Sequence, residues 1–438
     1  MEIKKYYFNE EFAGQVEGFN EVPAGYINKT VCGCGLTSVA IEKGGNTVIT
    51  VPNIVLVQNK VEQYPNKRFN GEVLGVYGGV DREDVDAYIN RIQDQPIKIM
   101  VTYDSLWKVE HLLDECHLII DESDRLLGSV GLKLQDKKDA EDVDVITYLF
   151  EVAERYKDTV SFISATPIEV ELLPKWVSEI EQIEMYWANT VKVVPICMQR
   201  QHPFSALKNE IILPIKKDGK VIVGDRVVSK VIVFMNSVDR AMKLVNECKL
   251  DKEEVGIICA DNSRNDFKIR GYERVDTSGE LPKYTFITSS GFQGIDLYDS
   301  EAINVVVSNT SRDHQMVDLT TDLRQATSRQ RDKSNPNYDR YIYIYNQNAF
   351  EQSEEELIEI IENSEREINE NCDLLNDLLS NKDKRYNSTL KRFGESEEFR
   401  TYTLKRNNGW IVNQLAFNAD RRFILNTRRQ YTKGFNII

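Results

Sequence analysis

The sequence predicts an α/β protein built as two consecutive parallel-sheet domains followed by a mostly helical C-terminal extension. Three observations carry that expectation. Short β-branched runs recur with polar, helix-like stretches between them in the first half of the chain, and the same rhythm resumes in the second half. A parallel sheet covered by crossover helices requires it, because its strands are apolar on both faces. The last ninety or so residues lack such runs and show helical spacing instead.

In chain order, residues 1–19 read as an N-terminal segment. The first domain, 20–190, holds apolar runs at 27–31, 47–52, 72–76, 97–102, 116–120 and 160–164. Residues 191–228 read as a linker. Within it, IKKDGKVI (215–222) predicts a hairpin, with Asp218-Gly219 turning between apolar arms. The second domain, 229–348, holds VIVFM (231–235), VGIICA (255–260), YTFIT (284–288), INVVVS (303–308) and YIYIY (341–345). Residues 349–438 form the extension. Its 351–380 stretch predicts one long helix, with Leu357, Ile361, Ile368, Cys372, Leu375 and Leu379 on an apolar stripe and eleven acids on the other faces.

A length of 438 residues suits two or three domains with real cores. No charged-then-apolar leader opens the chain, and no run approaches the roughly 18 apolar residues of a membrane span. A soluble, cytoplasmic protein is expected. Seven cysteines, odd in number and mostly in apolar runs, suit reduced thiols. Cys32-Gly-Cys34 could supply half of a metal site, but no second Cys or His pair completes it, so metal binding by these cysteines is not expected. The net charge of −15 argues against a basic coat over the whole chain. The charge is segregated, however: from residue 382 onward, 13 Lys and Arg face 5 Asp and Glu.

KTVCGCGLTS (29–38) follows the first apolar run with a Gly-rich turn ending in a hydroxyl residue. Small residues let backbone N–H groups converge on phosphates. Thr37 stands where a hydroxyl would take Mg2+. An ordinary Gly-containing strand-to-helix turn has the same composition. Phosphate loops of this kind place Lys just before the Thr, as a point charge on the β- and γ-phosphates. Here that position is Leu36. Lys29, at the start of the loop, is the nearest cation to replace it; its bland alternative is a solvated lysine.

HLII (117–120) runs into Asp121-Glu122-Ser123-Asp124. At the end of a buried strand, Asp121 can hold Mg2+ and Glu122 can orient or deprotonate an attacking water. Such an acid pair is otherwise a solvated turn, and the upstream Gly loop is what turns the reading toward chemistry. Ser164-Ala165-Thr166 closes another apolar run and by itself reads as a strand exit. TSSGFQGIDL (288–297) is a strand and a Gly-containing loop that reaches Asp296. DLRQATSRQR (322–331) presents Gln325, Arg329 and Arg331. Two guanidinium groups on one short segment suit charge developing on a γ-phosphate. An exposed basic helix face would look the same.

In this order and spacing, the motifs resemble those of the superfamily 2 helicases and translocases of the DEAD-like kind, over residues 20–347. The resemblance implies two tandem RecA-like domains that close around ATP and Mg2+. It makes 30–37 a degenerate Walker A loop, in which Thr30, Gly33, Cys34, Gly35, Leu36 and Thr37, together with Lys29 and Asp296, would bind nucleotide. Thr37 and Asp121 would hold the metal. Glu122, Gln325, Arg329 and Arg331 would carry catalysis, and Ser164 and Thr166 would couple it to nucleic acid. PNIVLVQNK (52–60), VYGG (76–79) and VTYDSL (101–106) resemble backbone-contacting motifs. Pro52, Gly78, Gly79, Thr102, Ser237 and Thr288 are the implied contacts. Contacts of this kind read phosphates, not bases, so little sequence selectivity is expected, and the implied partner is DNA or RNA through its backbone. QATSRQR (325–331) departs from the pattern: Ser328 replaces the usual Gly, and the last Arg comes one position early. That spacing is similar to some viral origin-binding helicases. The Gly-Cys-Gly-Leu-Thr loop resembles helicase-like proteins of bacteriophages and mobile elements.

Two functions follow from these readings. One is a nucleic-acid-dependent ATPase acting as a helicase or translocase. The other, for which Leu36 is the case, is a weakened or inactive helicase-fold protein that serves as a nucleic-acid-binding or structural component, such as one associated with a virion. Paired cations (Lys384-Arg385, Lys391-Arg392, Lys405-Arg406, Arg421-Arg422, Arg428-Arg429) interleave with Tyr386, Phe393, Tyr402, Trp410 and Phe417 in the tail. They suit either a nucleic-acid contact or a helical accessory domain with an aromatic core, open to a protein partner.

Overall fold

A computed structural model describes residues 2–64, 71–132, 143–260, 262–272, 274–275, 277, 279–292, 295–347, 353–406 and 409–432. Parts of three expected features, at 293–294, 349–352 and 433–438, lie outside these. The chain divides into two compact units: Met1–Asn189 with Gln352–Leu425, and Thr190–Glu351 with Asn426–Ile438.

The first unit is built on strands β1 (Lys4–Phe8), β2 (Gly25–Asn28), β3 (Thr47–Val51), β4 (Leu74–Val76), β5 (Lys98–Thr102), β6 (His117–Asp121), β7 (Ser161–Ser164) and β8 (Gln182–Trp187). They form one sheet in the order β1-β8-β2-β7-β6-β3-β5-β4, and every pairing is parallel. Alternate residues serve two cores. Tyr26, Val48, Ile99, Ile120 and Phe162 enter one, whereas Ile27, Ile49, Met100, Ile119 and Ile163 enter the other. This is why the strands read as unbroken apolar runs: with a side-chain period of two, both faces are buried. A parallel sheet also delivers all its strand C-termini to one edge, where such folds bind ligands.

The second unit contains β9 (Val194–Gln199), β10 (Val221–Val223), β11 (Arg226–Val228), β12 (Val231–Phe234), β13 (Val255–Ile258), β14 (Tyr284–Ile287), β15 (Ile303–Ser308) and β16 (Arg340–Tyr345). Six of these form a parallel sheet in the order β13-β14-β12-β15-β16-β9. The expected fold class is therefore what the chain adopts.

Its boundaries differ from those expected. Residues 4–8 are not a segment outside the first domain, because β1 pairs with β8 along its whole length. Residues 191–228 are not a linker. β9 is the edge strand of the second sheet, and Leu207, Ile211, Ile212 and Ile215 are buried in that unit's core. The hairpin lies at β10–β11, not at 215–222. Asp218 instead ends a helix, Leu213–Asp218, whose C-cap Gly219 has φ 75°. Gly tolerates the left-handed conformation that stops a helix as readily as it does a turn, and the two signals look alike in sequence.

The extension is also divided. Helix Glu354–Ser380 buries Ile361, Ile368, Cys372 and Leu375 against Phe399, Phe417 and Ile424. Leu379, expected on the buried stripe, is 39% exposed, and Leu378 takes its place. Tyr386, Phe393, Tyr402 and Trp410 pack on the same cluster. Arg421 pairs with Glu365, Arg406 with Glu151, and Arg422 with Glu169 at 3.2 Å. The tail aromatics are thus core, and part of the basic surplus is neutralised within the first unit. Residues 426–432 belong to the second unit. There the Tyr431 hydroxyl donates to Val317 O at 2.8 Å, and Arg428 pairs with Asp313 at 3.1 Å. No described helix is long and apolar enough to cross a membrane.

One buried cation secures the helix that carries the Gly-rich loop. Helix α1 (Leu36–Glu42) would leave its last carbonyls without partners. Lys98 Nζ, on β5, donates to Ala40 O and Gly44 O at 2.6 Å and to Gly45 O at 2.7 Å. Replacing Lys98 by Met is expected to destabilise the first unit by about 2–4 kcal/mol, because one buried and two part-buried carbonyls lose a charged donor. Urea unfolding followed by tryptophan fluorescence measures this.

A second consequence concerns acid. Burial, with a smaller push from the Lys98 charge, lowers the His117 pKa to about 4, and its Nε2 lies 2.7 Å from Ser161 Oγ. The folded state therefore keeps this ring neutral, while the unfolded ring protonates near its ordinary pKa of about 6.5. Stability contributed by the neutral ring is complete above about pH 6.5 and falls as pH drops toward 4, by about 3 kcal/mol in all. A His117→Gln variant is expected to show a shallower loss of melting temperature over that window.

Candidate functional site

The site is assembled at the C-terminal edge of the first sheet. Directly after β2, the Lys29 backbone is held from two sides. Its N–H donates to Ser164 O at 2.8 Å, and its carbonyl accepts from Trp187 Nε1 at 3.0 Å. Lys29 Nζ lies 3.4 Å from Asp121 Oδ1 and 3.9 Å from Glu122 Oε1, at the end of β6. The other oxygen of Asp121 accepts from Thr37 Oγ at 2.6 Å. Lys29, Asp121 and Glu122 are all buried. Burial alone would lower the lysine pKa, but the two carboxylates outweigh it and hold it above the ordinary value, so the ammonium stays charged. The solvated-lysine reading of Lys29 does not hold.

The loop between Lys29 and α1 is conformationally unusual. Thr30, Gly33 and Gly35 have φ of 50°, 75° and 85°. For a β-branched residue such as Thr this region is strained. Two bonds hold it there: Thr30 Oγ donates to Met185 O at 2.5 Å, and Thr30 N–H donates to Asn28 Oδ1 at 3.0 Å. Cys34 and Leu36 do not present side chains to a phosphate, for both are 2% exposed within the apolar core. Burial pushes the Cys34 thiol up to about 11, despite the nearby Lys29 charge, so it stays protonated.

Glu122 is the second strained residue, with φ 52°. The Tyr103 hydroxyl donates to Asp121 O at 2.7 Å and lies 3.1 Å from Glu122 O, spanning the two carbonyls around that residue. Ser164 Oγ donates to Asp124 Oδ1 at 2.7 Å and accepts from Thr166 N–H at 3.0 Å. The Ser-Ala-Thr segment and the acidic turn are therefore bonded to each other.

The predicted nucleic-acid residues of this unit fall on the same edge, toward its other end. Pro52 follows β3, Gly78 and Gly79 follow β4, and Thr102 ends β5. Gly78 and Gly79 are exposed, and an added Cβ at either would meet none of the described residues within 4 Å. The Thr102 hydroxyl is buried without a hydrogen-bond partner among the described residues.

The second unit places its candidates as follows. Arg331 Nε donates to Asp296 Oδ1 at 2.6 Å. Arg329 is 4% exposed, donates from Nε to Gln325 O at 2.8 Å, and contacts the Gln325 side chain as well. Arg329 is therefore not part of an exposed basic face, and the two arginines have separate anchors. Ser237 caps helix Val238–Cys248, accepting from Arg240 N–H at 3.3 Å. Thr288 is buried, its hydroxyl 3.5 Å from Ile258 O.

Sequence reasoning missed Tyr103 and Trp187. Each reaches the site across the sheet; Trp187 belongs to no short-range pattern, and Tyr103 lies in VTYDSL without a role assigned to it. The position of Tyr103 beside Thr102 was the one available signal.

No protein-family model matches this sequence, and no curated protein matches it. Solved structures with a distant likeness include Mss116p (NTE and C-tail double deletion) bound to ssRNA and AMP-PNP. It is 15% identical over 92% of this chain and 83% of that one, with a TM-score of 0.44. S. cerevisiae Dbp5 bound to RNA and ADP BeF3 is 14% identical over 75% of this chain and 80% of that one, with a TM-score of 0.43. The Mycobacterium smegmatis helicase Lhr bound to ssDNA and AMP-PNP is 15% identical over 82% of this chain, with a TM-score of 0.45; the match spans 48% of Lhr.

Because Leu36 lies in the core, restoring a lysine there would bury an ammonium among apolar groups. Leu36→Lys is expected to cost at least about 3 kcal/mol, whereas Leu36→Met should cost under about 1.5 kcal/mol. Paired denaturation curves measure the difference.

Proposed function

We propose that the chain is a nucleic-acid-dependent ATPase that works as a helicase or translocase of the superfamily 2 type. One observation carries this reading: a lysine, two carboxylates and a hydroxyl converge beside a Gly-rich loop at the ligand-binding edge of a parallel sheet. Thr37 and Asp121 offer hard oxygen donors within 2.6 Å of each other, which suits Mg2+. When bound, the metal would neutralise charge on the β- and γ-phosphates.

The chain's own groups do the rest. Backbone N–H groups of 33–37 cradle phosphates, and Lys29 stands in for the lysine missing at Leu36. Glu122, held at a fixed backbone angle, orients water and accepts its proton at a carboxylate oxygen. In the second domain, Gln325, Arg329 and Arg331, with Asp296, are the groups suited to the charge of a triphosphate. Pro52, Gly78, Gly79, Thr102, Ser237 and Thr288 contact the nucleic-acid backbone. Ser164 and Thr166 relay occupancy to the acid turn.

Leu36 favours a second reading, a nucleic-acid-binding or structural protein with the same fold and little turnover. Measuring ATP turnover with and without single-stranded nucleic acid separates the two. The ATPase reading expects stimulation by the strand and a loss of about 10²-fold or more in Glu122→Gln. Lys29→Arg, which keeps the buried positive charge, should retain folding and lose at least about tenfold in rate. Phosphate release no faster than that of Glu122→Gln ends the ATPase reading.

A further inference from the structure

We infer that the six-residue helix Tyr103–Lys108 is a mechanical link between the Gly78-Gly79 turn and the Asp121-Glu122 acid pair. The inference rests on the proposed ATPase reading and adds a positioning role for Tyr103, to which the VTYDSL motif assigns none, and for Lys108, which lies outside every motif.

The helix has anchors at both ends. At its start, the Tyr103 hydroxyl spans the carbonyls of Asp121 and Glu122, at 2.7 and 3.1 Å. At its end, Lys108 Nζ donates to Tyr77 O at 3.1 Å and to Val80 O at 2.7 Å, the carbonyls on either side of the two glycines. Between them the chain is short. It is a 3-10 turn of about 2 Å rise per residue. Tyr103, Ser105, Leu106 and Lys108 are all buried.

Each anchor acts on a part that needs holding. Gly79 has φ 88° and, among the described residues, no neighbour within reach of an added Cβ, so the turn is held by its flanks, where Val80 N–H donates to Tyr77 O at 3.1 Å. Lys108 grips both flanks. Glu122 has φ 52°, a conformation that persists only where its surroundings enforce it. Tyr103 contributes to that enforcement through the two carbonyls, beside the Glu122 N–H bond to Asp121 Oδ1 at 2.9 Å and the Arg125 N–H bond to Glu122 O at 3.0 Å. A strand seated on the glycine turn shifts the flanks, and Lys108, the helix and the Tyr103 hydroxyl carry that shift to the backbone that aims the Glu122 carboxylate. The Ser164–Asp124 bond is a separate connection and uses neither residue.

The test measures ATP turnover by the full chain with and without single-stranded homopolymers of dT or U, alongside homopolymer binding by anisotropy. Tyr103→Phe removes one hydroxyl. It is expected to keep the KM for ATP and the homopolymer affinity within about twofold, while stimulated kcat falls about tenfold. Lys108→Met is expected to reduce stimulation to a similar degree. Lys108→Arg should restore part of it, since a charged donor to the two carbonyls returns. The double variant should lose no more than the worse single one, because the two ends act through one element. Unchanged stimulation in Tyr103→Phe, or losses that multiply in the double variant, overturns the link and leaves the ATPase reading in place. A wild-type chain that hydrolyses no ATP overturns both. Should Lys108→Met fail to fold, Tyr103→Phe decides alone.

Discussion

The structure of the candidate site depends on a buried ammonium held between two carboxylates. Removing three such charges from water costs several kcal/mol apiece, and their mutual attraction offsets this only where the geometry is good. Lys29 sits within 4 Å of both Asp121 and Glu122, and Asp121 takes a further bond from Thr37. A cluster like this is a poor way to stabilise a sheet, for apolar side chains of similar volume would serve at least as well. The ATPase reading proposed above rests on this cluster.

The parallel sheet makes the cluster possible. Lys29, Asp121 and Ser164 are far apart in sequence, yet each lies at or just after the C-terminal end of its strand, and β2, β7 and β6 are neighbours. The next strands, β3, β5 and β4, bring Pro52, Thr102 and the glycine turn to the same edge. The candidate nucleotide and nucleic-acid groups thereby become adjacent stretches of one rim, and short elements such as Tyr103–Lys108 suffice to span them.

The C-terminal region shows how composition can mislead. Paired cations and aromatics resemble a nucleic-acid surface, but the aromatics form a core with the long helix, and several arginines meet acids on the body of the first unit. The net balance of a segment says little until the partners of its charges are known. Lys391 and Arg392 do stay exposed.

Much of the fold was legible, and its limits are physical. Interior strands of a parallel sheet are apolar on both sides, so 47–52, 97–102 and 303–308 announce themselves. β1, β8 and β9 do not, because strands at or next to a sheet edge mix exposed and buried positions. The acid turn, the Gly loop and Ser164 were readable because their chemistry needs particular residue types at fixed local spacing. Whether Lys29 reaches the acids, that Leu36 faces the core, that Tyr103 grips two carbonyls, and that Arg329 is buried against Gln325 were matters for tertiary structure alone. Each depends on distances between groups remote in sequence, or on which way a side chain points, and the order of residues along a chain encodes neither until the sheet has formed.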